Sequence, residues 1–170
     1  WFSKNKKERP TSESSLLKAG ILAGSVLFIA AALQQVGLLY TTAAKAGFIT
    51  GLYLILVPIL GLLLKHTTGV TTWLGAVLAV LGLYLLSIND DFSMSFGDML
   101  QFIGALFWAF HILLIDHFSG RVSPLKLSSV QFAVCGILSL LVSLVLETPS
   151  LTATLAGWQP ILYSGLVSVG

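Results

Sequence analysis

Charge is what this chain has least of. Of its 170 residues, nine are Lys or Arg and seven are Asp or Glu, 9% in all, while 56% are hydrophobic. A soluble domain carries about 25% charged and roughly 45–50% apolar residues, so the composition departs from a soluble fold in both directions. Intrinsic disorder needs low hydrophobicity and high charge and is excluded. A single cysteine, Cys135, excludes a disulfide framework. Alone and halfway along an apolar run, it reads as a small hydrophobe rather than a nucleophile. Basic residues form no stripe beyond the first 18 positions, so nucleic acid is not an expected partner. A Gly-rich phosphate loop with its Lys and hydroxyl is missing, as is any zinc-ligand spacing. No cofactor, metal or catalytic residue is therefore expected.

What is present is length in the apolar runs. A helix rising 1.5 Å per residue needs about 17–25 apolar residues to cross a ~30 Å hydrocarbon core. Ala19–Tyr40, Ala46–Leu64, Val70–Ser87, Met99–Ile115 and Leu127–Leu146 each fit. A sixth run starts near Trp158 and stops short at Gly170; with a beginning at Trp1 on a basic stretch, it reads as part of a longer protein. Lipid offers backbone groups no partners, so spans are helices or closed barrels. Barrel strands alternate polar and apolar residues, and Leu54–Leu64 and Val77–Leu86 do not. The predicted fold is an all-α polytopic membrane bundle. Gly20 and Gly24, Gly47 and Gly51, and Gly75 and Ala79 have the spacing that lets helices approach closely in a bilayer.

With spans counted, the connecting segments alternate sides. Residues 1–18, Lys65–Gly69 and His117–Lys126 hold eight of the nine basic residues; the opposite set holds only Lys45, with Asp90, Asp91, Asp98 and Glu147. Basic residues concentrate in cytoplasmic loops. The N-terminal segment of a cell-membrane protein is thus expected in the cytoplasm, and the loop Asn89–Asp98 outside.

The stretch Gln34-Gln35-Val36-Gly37 through Thr50-Gly51-Leu52-Tyr53, continuing through Pro58 to Gly61, resembles the EamA-type drug/metabolite transporters. Trp73-Leu74-Gly75-Ala76 through Gly82-Leu83-Tyr84-Leu85-Leu86-Ser87 is similar to the span closing the first half of that family. Gly97-Asp98-Met99-Leu100 and Gly104-Ala105-Leu106-Phe107-Trp108-Ala109-Phe110-His111 resemble the opening of its second half. The resemblance implies ten helices in two five-helix inverted repeats, a recurrent transporter architecture, of which this chain would hold about the third to the eighth. Residues 1–18 would be a cytoplasmic basic segment and 19–88 the last three helices of the first repeat. An outer inter-repeat loop would follow at 89–97, and 98–170 would be the first helices of the second. It also implies a secondary transporter exporting small metabolites or amphipathic compounds by alternating access. Where relatives often carry a Glu after the second span, this chain has Lys65-His66, a departure that bears on the substrate. The rival classes are a multispanning membrane enzyme, which needs a cluster of ionisable groups near an interface, and a structural membrane subunit, which needs no polar stripes.

Polar side chains inside spans are costly and face a cavity or a neighbour. Gln101, Trp108 and His111 fall with Ala105 on one stripe of the fourth span by i+3/i+4 spacing. They are either a cavity wall, with His111 a possible proton carrier, or ordinary interhelical packing. Gln34 and Gln35 point about 100° apart, so at most one faces a central cavity squarely. Thr50 and Tyr53 lie at similar depth on the second span. Together these seven residues are the expected substrate-cavity set. Pro58 removes a backbone hydrogen bond and is a hinge candidate, with a static kink as the alternative. Tyr40, Trp73 and Trp158 sit at span ends as aromatic anchors. His111 and Asp116 lie about 140° apart round a helix and share no face, so they make no metal site with His117.

The topology is directly testable. In the full-length protein with Cys135→Ser, cysteines placed at Ser95 and Ser150 should react with an impermeant thiol reagent on intact cells. Cysteines at Ser3 and Ser119 should react only after the membrane is opened.

Overall fold

An apolar run in lipid has only its own backbone for hydrogen-bonding, and the chain answers with helix after helix. The computed structural model describes residues 13–63, 69–87, 95–146, 157–163 and 165, with no strand among them. The helices are α1 (Glu13–Gly37), α2 (Ala43–Gly51), α3 (Tyr53–Leu63), α4 (Val70–Ser87), α5 (Phe96–Ser119), α6 (Pro124–Leu146) and α7 (Trp158–Tyr163). Four stretches among the described residues are long and apolar enough to cross a bilayer: Glu13–Gly37, Ala43–Leu63, Phe96–Ser119 and Pro124–Leu146. The 18-residue α4 sits at the short end of that range. The protein is an all-α, multi-pass membrane bundle.

Two compact units divide the chain, residues 1–135 and 136–170. The first holds α1 to α5 and the first half of α6; the second holds the rest of α6 and α7. In the first unit α1 and α5 run antiparallel and share the most extensive contact, α2 and α3 lie against α5, and α4 packs chiefly on α2 and α3. Ala76 is the buried residue of α4, whose other described positions are half-buried or exposed.

The α1–α5 pair is fixed at both ends. At one end Ala19, Val122 and Leu127 form a small apolar cluster, flanked by Leu16, Ile115 and Phe118. At the other, α5 begins in a capping box. Ser95 Oγ accepts from the Asp98 amide at 3.1 Å, and the Ser95 amide donates to Asp98 Oδ2 at 2.8 Å. The second carboxylate oxygen, Oδ1, accepts the Thr41 hydroxyl from the turn between α1 and α2. Tyr40 and Phe96 close the same corner edge to face, with centroids 5.5 Å apart. The box starts α5 earlier than the apolar run suggests. Ser95 to Gly97, expected in the inter-repeat loop, therefore belong to the helix start, and positions 89–94 lie outside the described residues. So do residues 1–12, 64–68 and most of the run after Trp158.

The second span is not one continuous helix. Its hydrogen bonding is interrupted at Leu52, where the amide turns back to Ile49 O at 3.1 Å, and α3 then starts again with bonds to Leu52 O. Pro58, the hinge candidate, lies fully buried inside α3, downstream of that interruption. Of the three small-residue pairs, Gly20 and Gly24 occupy a close approach. A Cβ on Gly20 would fall 2.3 Å from Val130 Cγ1, and one on Gly24 would fall 2.6 Å from Gln131 O. Gly47 and Gly75 face open space within the chain.

A further close approach, closed on every side by backbone, involves Gly97, which composition patterns do not single out. A Cβ there would lie 2.6 Å from Gly37 O, 2.7 Å from Tyr40 C and 2.9 Å from Thr41 N, all backbone atoms that no rotamer change can withdraw. Gly97→Ala should therefore destabilise the bundle by about 1–3 kcal/mol, the usual cost of overpacking. Gly47→Ala should not. Unfolding of the detergent-solubilised protein, followed by circular dichroism against temperature, checks the contrast.

Candidate functional site

The polar side chains of the spans converge on α5. Gln101 is fully buried, and its amide reaches two other helices. Its Nε2 donates to the backbone oxygen of Gln34 on α1 at 2.9 Å, and its Oε1 accepts the Thr50 hydroxyl of α2 at 3.0 Å. Gln34 O is near the C-terminal end of α1, where carbonyls run out of helical partners; it also takes the Leu38 amide at 3.0 Å. Gly37 leaves the room this needs, since a Cβ there would stand 2.7 Å from Gln101 Nε2.

The Gln34 side chain takes a different partner from its own carbonyl. Helical side chains lean toward the helix N-terminus, and α5 runs in that direction beside α1. The Gln34 amide therefore passes Gln101 and meets Trp108, about two turns further along α5. Trp108 Nε1 donates to Gln34 Oε1 at 3.2 Å. Both side chains are half-buried, so the seam is closed at Gln101 and Thr50 and partly open at Gln34 and Trp108.

The stripe predicted on α5 faces inward. Gln101, Ala105 and His111 are buried and Trp108 is half-buried. His111 meets the Trp108 ring edge to face with centroids 6.2 Å apart, and its Nε2 pairs with Gln131 Oε1 of α6 at 3.0 Å. Gln131 is itself buried. It escaped the sequence reading, although an amide in the middle of an apolar run was the available signal.

The remaining candidates are less engaged. Gln35 is exposed on another side of α1, as the 100° offset between adjacent helical residues requires. Tyr53 is half-buried at the start of α3, and no hydrogen bond joins it to Gln101. Thr41, Ser95 and Asp98 form a second polar cluster at the end of the bundle. They too escaped the sequence reading, because a capping box with a cross-helix partner appears only once two hairpins are brought together. Cys135 is half-buried rather than fully enclosed.

Nothing in the seam resembles a reacting centre. Its groups are two primary amides, a hydroxyl and an indole, all neutral, each able to hold a ligand by hydrogen bonds or by its aromatic face.

The comparisons with known proteins agree with that character. The chain matches the EamA-like transporter family over residues 1–88 and 95–170. It is 38% identical over 123 residues to a protein of Archaeoglobus fulgidus named "Uncharacterized transporter". A Methanothermobacter thermautotrophicus protein of the same name is 30% identical over 125 residues. These alignments take in 72% and 69% of this chain but 39% and 36% of the relatives, so the chain spans roughly two fifths of their length. No solved structure shows significant similarity to the chain. With nearly every residue inside the family match, the chain belongs to the EamA-like transporter family.

Proposed function

We propose that the full-length protein carries small amphipathic metabolites across the cell membrane as a secondary transporter, and that the Gln34–Gln101–Trp108–Thr50 seam is part of the wall its substrate meets. One observation carries the reading. A hydrogen-bonded polar seam joins three apolar helices within their span and stays half-open at an amide and an indole. Polar groups at that depth are expensive unless they serve a partner, and transporters commonly bind their cargo where short polar stripes meet near the midplane. The family match and the names of both relatives support transport over an enzymatic or purely structural role.

The eight-to-one division of basic residues supports a cytoplasmic N-terminal segment. That orientation places the seam in the outer half of the bilayer, with His111 deeper. Export by alternating access is the proposed mode, with the interruption of the second span at Leu52, two residues from Thr50, as its candidate point of bending. A gradient of solute or ions is the proposed driving force.

In the full-length protein, Trp108→Ala should lower transport at least several-fold while membrane abundance stays near normal. Leu81→Ala, on the exposed side of α4, should leave transport unchanged. Gln101→Leu should behave differently from both. It strands the Thr50 hydroxyl and removes a tie among three helices, so abundance or thermal stability should fall together with activity, by about 1–3 kcal/mol for the unpaired buried groups. Uptake into inside-out vesicles, normalised to protein by immunoblot, separates the three outcomes.

A further inference from the structure

The direction of each hydrogen bond in the seam is fixed by groups that have no choice. A backbone carbonyl only accepts, so Gln101 must turn its NH2 toward Gln34 O. Its oxygen is then left for Thr50, which donates. An indole N–H only donates, so Gln34 must turn its oxygen toward Trp108. The Gln34 amide thereby has its own NH2 directed away from Trp108. That NH2 is held in place and makes no hydrogen bond with another side chain or backbone group among the described residues. It lies at the half-open part of the seam, at the N–H edge of the Trp108 indole.

The carboxylate at that end of α5, Asp98, has both oxygens occupied, one by the Ser95 amide and the other by the Thr41 hydroxyl. Gln101 offers nothing outward, because its amide is committed on both sides. The group left on offer at the open part of the seam is thus the Gln34 NH2, whose hydrogens meet an acceptor favourably and a cation unfavourably. Resting on the reading of the seam as substrate wall, we propose that Gln34 is a specificity-determining residue. Its Trp108-locked amide NH2 selects solutes that carry a hydrogen-bond acceptor, a carboxylate or carbonyl oxygen, next to a flat apolar part, and discriminates against organic cations that lack one.

The lock makes a prediction that a merely structural glutamine would not. Trp108→Phe keeps an aromatic face but removes the indole N–H, so the Gln34 amide is free to turn and offer its oxygen instead. Gln34→Glu keeps an acceptor for the indole and, ionised at alkaline pH, removes the outward donor. Three probes of similar size report the preference: phenylacetate, phenylacetamide and benzyltrimethylammonium. Their binding to the purified full-length protein in detergent is measured by calorimetry at about pH 8.

The wild type should bind phenylacetate and phenylacetamide roughly tenfold or more tightly than the ammonium probe, the worth of about one good hydrogen bond. Gln34→Glu should reverse that order. Trp108→Phe should still bind, with the preference reduced to a few-fold. A wild type that binds the ammonium probe as tightly as the other two, or that binds none of them, overturns the proposal. So does a Gln34→Glu variant with the wild-type order. Trp108→Ala that binds every probe as the wild type does would instead remove the seam from the substrate path, which is the failure of the underlying reading rather than of the donor assignment.

Discussion

One buried amide organises the bundle. Gln101 sits with no exposed surface in a helix that lipid would otherwise surround, and hydrocarbon cannot satisfy either end of its side chain. Both ends must find protein. The nearest available groups are a carbonyl at the fraying end of α1 and a hydroxyl on α2, so satisfying Gln101 draws three helices to one point. Gly37 and Gly97 lie against each other one turn from that bond and permit the close approach of α1 and α5 there. Replace Gln101 by an apolar residue and one of the ties at the crossing is lost, with the Thr50 hydroxyl left unpaired. Place a side chain on either glycine and the crossing cannot be reached.

Membrane helices gain little from burying apolar surface against one another, since lipid tails are as apolar as leucine. Specific polar ties and small-residue contacts then set the arrangement, and their distribution here is uneven. Between α1 and α5 there are ties at every level, from the Asp98 corner through Gln101 and Trp108 to the cluster of Ala19, Val122 and Leu127. By contrast α4 and the later part of α6 present mostly bare Leu, Val and Ile to their surroundings. Such surfaces are at home against acyl chains or further helices. The polar centre of the first unit is held by few bonds, each of which is irreplaceable by packing.

Much of this could be read from the residues alone, and the limits have physical causes. Helical character follows from run length and from the demand for internal hydrogen bonds, and Val70–Ser87 was delimited to the residue. Helix ends were less legible. α5 extends beyond its apolar run because Ser95 and Asp98 satisfy its first amides, and α1 begins at Glu13 among charged residues that hydropathy treats as outside. On α5 the inward stripe was visible from spacing. Which of two adjacent glutamines faces it was not, because helical periodicity gives the angle between Gln34 and Gln35 but not the rotation of α1 about its axis. The Gln34–Trp108 and His111–Gln131 pairs depend on antiparallel neighbours separated by long stretches of sequence, and no local pattern encodes them. Glycines posed the converse problem: three spaced pairs were conspicuous, yet the approach closed wholly by backbone falls at Gly97.

The Asp98 corner has a bearing on biogenesis. One carboxylate oxygen closes the start of its own helix and the other takes a hydroxyl from a turn that was synthesised long before. That second partner exists only if the hairpin of α1 and α2 and the head of α5 have come to rest at the same bilayer surface. A nascent chain threaded with α5 upside down would put Thr41 and Asp98 on opposite faces, about 30 Å apart, and would have to leave the carboxylate without its cross-helix donor. The Thr41–Asp98 bond therefore forms only when the earlier hairpin and the later helix are threaded so that their ends share one bilayer surface.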